Sequence, residues 1–519
     1  MTMQRTSLFL STKYLSMPAD SFRMFARPGV VSLAALFAAV ALLPGCAVGP
    51  DFRRPAAPIV ERYTPQSLPV QTASVEVKGG EAQRFVHDMD IPGQWWTLFH
   101  SKPLNDLIDQ ALKANPDVAA AQAALRGAWE NVYAQQGAFF PSIEADFNPT
   151  RQKVADILTS PLANNSFDFS LHTAQVAVAY TPDVFGGNRR QVESLKAQAD
   201  WQRFQLEATY LTLTSNVVAA AVQEAALRGQ IAATGRIIGI QRQLLELLQR
   251  QYALGQIAVA DVAAQEAALA QSQAMLPPLE KQLAQQRDVL ARLVGRFPSE
   301  AIAETFELSS LQLPQDIPVS LPSKLVAQRP DVRSAEEQLH GASAEIGVSV
   351  ANRLPNIALS ANLGSTATAI SQLFTAGTGF WTLAGTLTQP IFQGGTLLHR
   401  QRAAEAAYDQ AAAQYRSTVL TAFQNVADTL HAIRTDADAL KATVAAERAA
   451  AKSLAIVRRQ LELGDVSYLV LLNAEQTYQQ AQINLVQALA NRYADTAALF
   501  QALGGGWWNR SDVPAGVGG

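Results

Sequence analysis

The sequence predicts a mainly α-helical fold with a membrane β-barrel, built from two internal repeats that each run helix, strand, strand, long helix, long helix. Three observations carry this expectation. The chain matches itself at a nearly constant offset, four short segments alternate apolar with polar residues, and two stretches of nearly 70 residues lack proline and are rich in strong helix formers.

The repeat is read from paired motifs. Asn115-Pro116-Asp117-Val118 matches Arg329-Pro330-Asp331-Val332 at an offset of 214, which Pro141 and Pro355 keep. Further on, Arg250-Gln251-Tyr252-Ala253-Leu254-Gly255 matches Arg459-Gln460-Leu461-Glu462-Leu463-Gly464 at an offset of 209, kept by Gly295 and Gly504. Two halves therefore share one order of elements, over residues 104–295 and 321–504.

In each Pro-Asp pair the proline suits the first helical turn and the aspartate favours the positive end of the helix dipole, so helices are expected to start at Pro116 and Pro330. They should stop before Pro141 and Pro355, because proline disfavours helical geometry in the residue ahead of it. Strands are expected at about 142–149, 174–181, 356–364 and 380–388. In the first, Ile143, Ala145 and Phe147 alternate with Glu144, Asp146 and Asn148; Ile357, Leu359, Ala361 and Leu363 repeat the pattern in the third. Residues 187–254 and 395–463 then form the long helices. At 1.5 Å per residue each reaches roughly 100 Å, several times the depth of a bilayer core, so such a rod must project from the membrane. Leu245, Leu248 and Tyr252 are expected to pair with Leu454, Val457 and Leu461. Leu269, Leu276, Leu283 and Leu290 recur every seven residues, a coiled-coil spacing. Pro277-Pro278 should kink that helix without ending it. The glycine turns at about 254–258 and 463–467 reverse each helix pair and form the free tips of the rod, where a partner can dock.

Composition narrows the function. The chain has 519 residues, 48% hydrophobic and 16% charged, against about 25% charged in an ordinary soluble domain. A formal charge of −3 provides no basic field for nucleic acid. One cysteine excludes a disulfide framework and a thiolate zinc site. Residues 30–43 form a short apolar run behind Arg23 and Arg27 and ahead of Leu43-Pro44-Gly45-Cys46, an export signal rather than a spanning helix, with residues 1–22 an extended start. Cys46 at the break matches the bacterial lipoprotein signal, in which the thiol is acylated and becomes the new amino terminus; Pro44 departs from the usual residue there. Four strands with one apolar face cannot close a barrel, and open sheet edges are not tolerated in lipid, so other copies of the chain must complete it, two giving 8 strands or three giving 12.

No catalytic constellation is present. The six histidines are scattered without metal-ligand spacing, there is no Gly-Xaa-Ser-Xaa-Gly elbow, and Asp436 with Asp438 reads as a solvated helix face. No enzyme activity, metal or cofactor is expected.

Together Cys46-Ala47-Val48-Gly49-Pro50-Asp51-Phe52, Trp95-Trp96-Thr97-Leu98-Phe99, Leu321-Pro322-Ser323-Lys324-Leu325 with Arg329-Pro330-Asp331, and Gln389-Pro390-Ile391-Phe392-Gln393-Gly394-Gly395 resemble the TolC-like outer-membrane efflux protein family in its lipoprotein branch. The resemblance implies a homotrimer with one shared 12-stranded barrel, a periplasmic helical tunnel, and a mixed belt drawn from residues 46–103, 296–320 and 505–519. It implies a Gram-negative outer membrane, tips docking on a periplasmic adaptor through Leu254, Gly255, Gln256, Leu463, Gly464 and Asp465, and an inner-membrane pump that supplies the work. The family narrows its mouth with a leucine, an aspartate and an arginine just beyond the second tip. Leu469 falls at the leucine, but Asn473 and Gln476 replace the charged pair, so the expectation is closure by hydrogen bonding and sterics of an amide ring in place of an ionic lock. Asp465 and Asp261 either add negative charge at the entrance or cap helices. The function implied is a passive gated conduit for small toxic compounds; the alternatives are a lipid-anchored coiled-coil scaffold and the duct of a one-step protein secretion system.

Overall fold

A computed structural model describes residues 47–157, 162 and 165–510; Cys46 and the apolar run before it lie outside these residues. In chain order the strands are β1 (Arg84–His87), β2 (Ser142–Lys153), β3 (Asp168–Tyr180), β4 (Asp316–Val319), β5 (Asn356–Ala367) and β6 (Gly379–Thr388). The main helices are α1 (Lys102–Ala114), α2 (Pro116–Gln136), α3 (Gly187–Ala253), α4 (Val259–Leu293), α5 (Pro322–Gln328), α6 (Pro330–Ala351), α7 (Thr396–Leu463) and α8 (Tyr468–Ala502). The order of elements after α1 repeats after α5, as the internal match requires. The described residues fall into two compact units.

The first unit joins residues 137–189 and 350–394, with Ala47 and Val48. Its four strands form one antiparallel sheet in the order β2, β3, β5, β6. Register aligns the side chains by face. Ala145, Val176, Leu363 and Trp381 lie in one row across all four strands, and Ile143, Val178, Ala361 and Leu383 lie in the next. The intervening rows, which point to the opposite face, include Glu144, Ala177, Asn362 and Thr382. One face is thus apolar across its whole width, yet uncovered: Ile143 is 72% exposed, Leu363 67% and Trp381 71%. β2 and β6 each have a strand partner on one side only. The strands extend past the expected ends, β2 by several residues to Lys153, because cross-strand pairing continues into the polar loop. At the other end of the sheet Val48 N–H donates to the Phe185 carbonyl at 3.1 Å, and Ala47 packs so close to Gly186 that a Cβ there would meet its backbone.

The second unit holds residues 49–136, 190–349 and 395–519, as far as they are described. Its largest core joins α1, the middle of α3, the ends of α4 and α8, α7 and the segments around β1 and β4. β1 pairs in parallel with β4, tying the amino-terminal segment to the linker between repeats. Trp95 stacks on Phe500 at 5.3 Å, and buried Arg492 donates to the Gly79 and Glu81 carbonyls at 2.9 Å each. The segment after Gly49 is clipped down by Asp51 to Arg190 (2.7 Å), by Arg54 to Glu336, and by Phe52 stacked on His340 at 4.4 Å. Hydrogen bonds to Glu337 and Glu193 raise the His340 ring's proton affinity against its burial. α4 runs as one helix through Pro277 and Pro278. The leucine heptad is buried at its ends, Leu269 and Leu290, and half-buried between them. No described helix is long and apolar enough to cross a membrane.

Candidate functional site

Each tip is made by the same local chemistry. Gly464 (φ +79°) ends α7 in the left-handed conformation, with Gly464 N–H donating to Leu461 at 3.0 Å and Asp465 N–H to Gln460 at 2.9 Å. Gly255 (φ +73°) repeats this, with Gly255 N–H to Tyr252 at 2.8 Å and Gln256 N–H to Gln251 at 3.0 Å. This double bond pattern satisfies carbonyls that a helix end leaves without partners. Leu254, Gly255, Gln256, Leu463, Gly464 and Asp465 are all exposed.

Behind the turns a small core braces the two hairpins. Leu248, Val262, Leu454, Val457, Tyr468, Leu471 and Leu472 are buried together, with Leu245 and Leu461 at the margin. Tyr252, expected in this stripe, is exposed instead: its carbonyl closes the Gly255 turn, and its ring lies beyond the last buried layer at Leu248. Polar bonds lock the core. The Tyr468 hydroxyl donates to Gln265 Oε1, and Gln265 Nε2 donates to the Gln241 carbonyl at 2.8 Å. Arg458 reaches buried Glu475 at 3.3 Å. Burial raises the Glu475 carboxyl and Arg458 opposes it; burial, then Glu475 and Asp261, push the Tyr468 phenol up.

The proposed mouth residues lie on the other side of α8. Leu469, Asn473 and Gln476 are exposed, spaced so that they share one helix face, while Tyr468, Leu471, Leu472 and Glu475 face the core. Asp465 is exposed in the preceding turn, and its carboxylate makes no ion pair among the described residues. Asp261 is not on that face: it sits half-buried in the first turn of α4, where the helix dipole favours it. The face continues beyond what the motif comparison gave. Gln480, Asn484, Gln487 and Asn491 extend it as exposed amides, with Gln480 donating to Asn484 at 2.9 Å and Gln487 to Asn491 at 2.8 Å. The recurrence of Asn and Gln every three or four residues was the available signal.

Asp436 and Asp438 do not share an environment. Asp438 is exposed, but Asp436 turns into the packing of α7 on α8 and meets Asp495, whose carboxyl burial and the neighbouring Asp436 push up to about 7. Asp436 Oδ2 is buried without a hydrogen-bond partner among the described residues. Among the described residues no three His, Cys, Asp or Glu side chains converge as metal ligands.

The outer membrane efflux protein family model matches residues 107–296 and again 321–505. The chain belongs to that family, and the double match coincides with the two repeats. It is 28% identical over 485 residues to the probable efflux pump outer membrane protein TtgC of Pseudomonas putida, covering 92% of this chain and 96% of the relative. It is 30% identical over 435 residues to the pyoverdine export outer membrane protein OpmQ of Pseudomonas aeruginosa, covering 80% and 87%. Among solved structures the outer-membrane channel OprN aligns with a TM-score of 0.78 at 26% identity, over 89% of this chain and all of that one. VceC from Vibrio cholerae aligns at 0.75 and 25% identity, over 80% and 100%. The fold class is therefore the one expected from the sequence, that of the trimeric TolC-like channels.

Proposed function

We propose that this chain is the outer-membrane conduit of a tripartite efflux system, a passive gated duct that three copies close and through which small toxic compounds leave. The observation that carries the reading is the sheet: an uncovered apolar face spanning four strands, bounded by two open edges. Lipid is the solvent that suits this face, and a neighbouring copy is the only partner that satisfies both edges alike. A scaffold whose ribbons pack as a soluble sheet needs a cover for that face. The relatives' names, pyoverdine export and efflux pump, favour small organic cargo. The tips offer exposed leucines and backbone to a periplasmic adaptor, with the pump beyond it supplying the work. Leu469, Asn473 and Gln476 narrow the mouth without an ionic lock. In this reading Cys46, which lies outside the described residues, is the acylated residue of a Gram-negative lipoprotein; the Val48 N–H bond to the Phe185 carbonyl, which holds the segment just after it, supports that reading. Purified assemblies in planar bilayers should conduct ions, and Leu469→Gly should raise the open fraction. Intact assemblies of that variant that pass no current would overturn the reading.

A further inference from the structure

The face of α8 that carries Leu469, Asn473 and Gln476 does not stop at the mouth. Beyond Tyr478, as far as Asn491, the exposed residues of α8 are Gln480, Asn484, Gln487 and Asn491, and every other position there is buried or half-buried. Each step along the line is three or four residues, so it stays on one side of the helix, and from Asn473 to Asn491 it extends about 27 Å. Over residues 468–491 the one charged side chain is Glu475, which is 3% exposed and held by Arg458 in the core. The water-facing side of an amphipathic helix is ordinarily charged as well as polar; this line has no charge at all. The first repeat departs from it. At the offset of 209, Ala264, Ala267, Met275 and Pro278 stand where α8 has Asn473, Gln476, Asn484 and Gln487, and exposed Glu266, Glu280 and Lys281 bring charge to α4. The amide line is therefore a feature of the second repeat and not of the helix pattern that both repeats share.

Resting on the conduit reading above, we propose that this line is the wall of the narrow part of the duct and makes passage indifferent to the sign of the cargo's charge, so that organic anions leave as readily as organic cations. A primary amide offers two donors, acceptor lone pairs and no net charge. Gln480 donates to Asn484 at 2.9 Å and Gln487 to Asn491 at 2.8 Å, which leaves hydrogen-bonding capacity for water and a passing solute. Such a wall solvates either sign without collecting counterions, whereas rings of carboxylates or of Lys and Arg select by charge. The charges near the mouth lie off the line. Asp465 precedes it in the exposed turn, Glu462 is paired with Arg459 at 2.8 Å, and Asp261 is half-buried on the first tip. On the sheet, the polar face holds Glu144 and Asp146. A barrel of twelve strands is wide, so salt near 1 M, which cuts the reach of a charge to about 3 Å, removes their bias and keeps that of a charge set in the mouth.

The test is the zero-current potential of detergent-purified full-length assemblies in planar bilayers under a KCl gradient near 1 M, with Leu469→Gly holding the mouth open. Potassium and chloride permeabilities within about twofold of each other are expected, and within about threefold when potassium benzoate, the organic-anion probe, replaces KCl. Adding Asn473→Asp with Gln476→Glu should favour potassium about fivefold or more, and Asn484→Asp alone should move the ratio the same way. A strong potassium preference in the parent channel, exclusion of benzoate, or a ratio that the added carboxylates do not move would overturn the sign indifference while leaving the conduit standing. Intact assemblies that pass no current would remove both.

Discussion

At the residue scale the Asp436 and Asp495 pair carries the clearest consequence. Asp495 binds its proton more tightly in the folded chain than in the unfolded one, with a folded value of about 7. Between the ordinary carboxyl range, about 4, and that value, the folded state therefore holds more protons, so this contribution is complete at low pH and is lost as pH rises through 7. Asp495→Asn should flatten the dependence and make the assembly more resistant to unfolding at pH 8, by on the order of 1 kcal/mol once solvent screening at this half-buried site is allowed for. Chemical unfolding at pH 5 and pH 8 checks it; an unchanged slope would contradict the raised Asp495 carboxyl. Sequence alone could not reveal the pair. Asp436 and Asp438 stand two apart on a helix and point different ways, and what lies opposite Asp436 is a residue from another helix. Leu469, Asn473 and Gln476 were named through the family resemblance; what their spacing adds is that they share one exposed face of α8.

At the element scale the long helices, the starts of the shorter α2 and α6 at Pro116 and Pro330, and the glycine turns were readable, because each depends on local chemistry: proline's fixed φ, glycine's access to the left-handed region, and propensity summed over many residues. Strand ends were less so, since β2 runs to Lys153 through pairing with Asp168, which no local signal announces. Gly464→Ala should cost about 1 kcal/mol, because an L side chain is strained in the left-handed region. No clash adds to it, since a Cβ there meets open space. Limited proteolysis at the tip should quicken accordingly, while cleavage in the core of α1 and Trp95 should not; equal rates at the tip would contradict the role of the turn.

At the scale of the whole molecule, the sequence already implied that four strands are too few for a wall, and the register across them shows why: every row of apolar side chains ends at an open edge. The direct test of an incomplete stave is the native mass of the detergent-purified full-length protein. Three chains per particle is the result this account requires. A stable single chain, soluble without detergent once any acyl anchor has been removed, would contradict it.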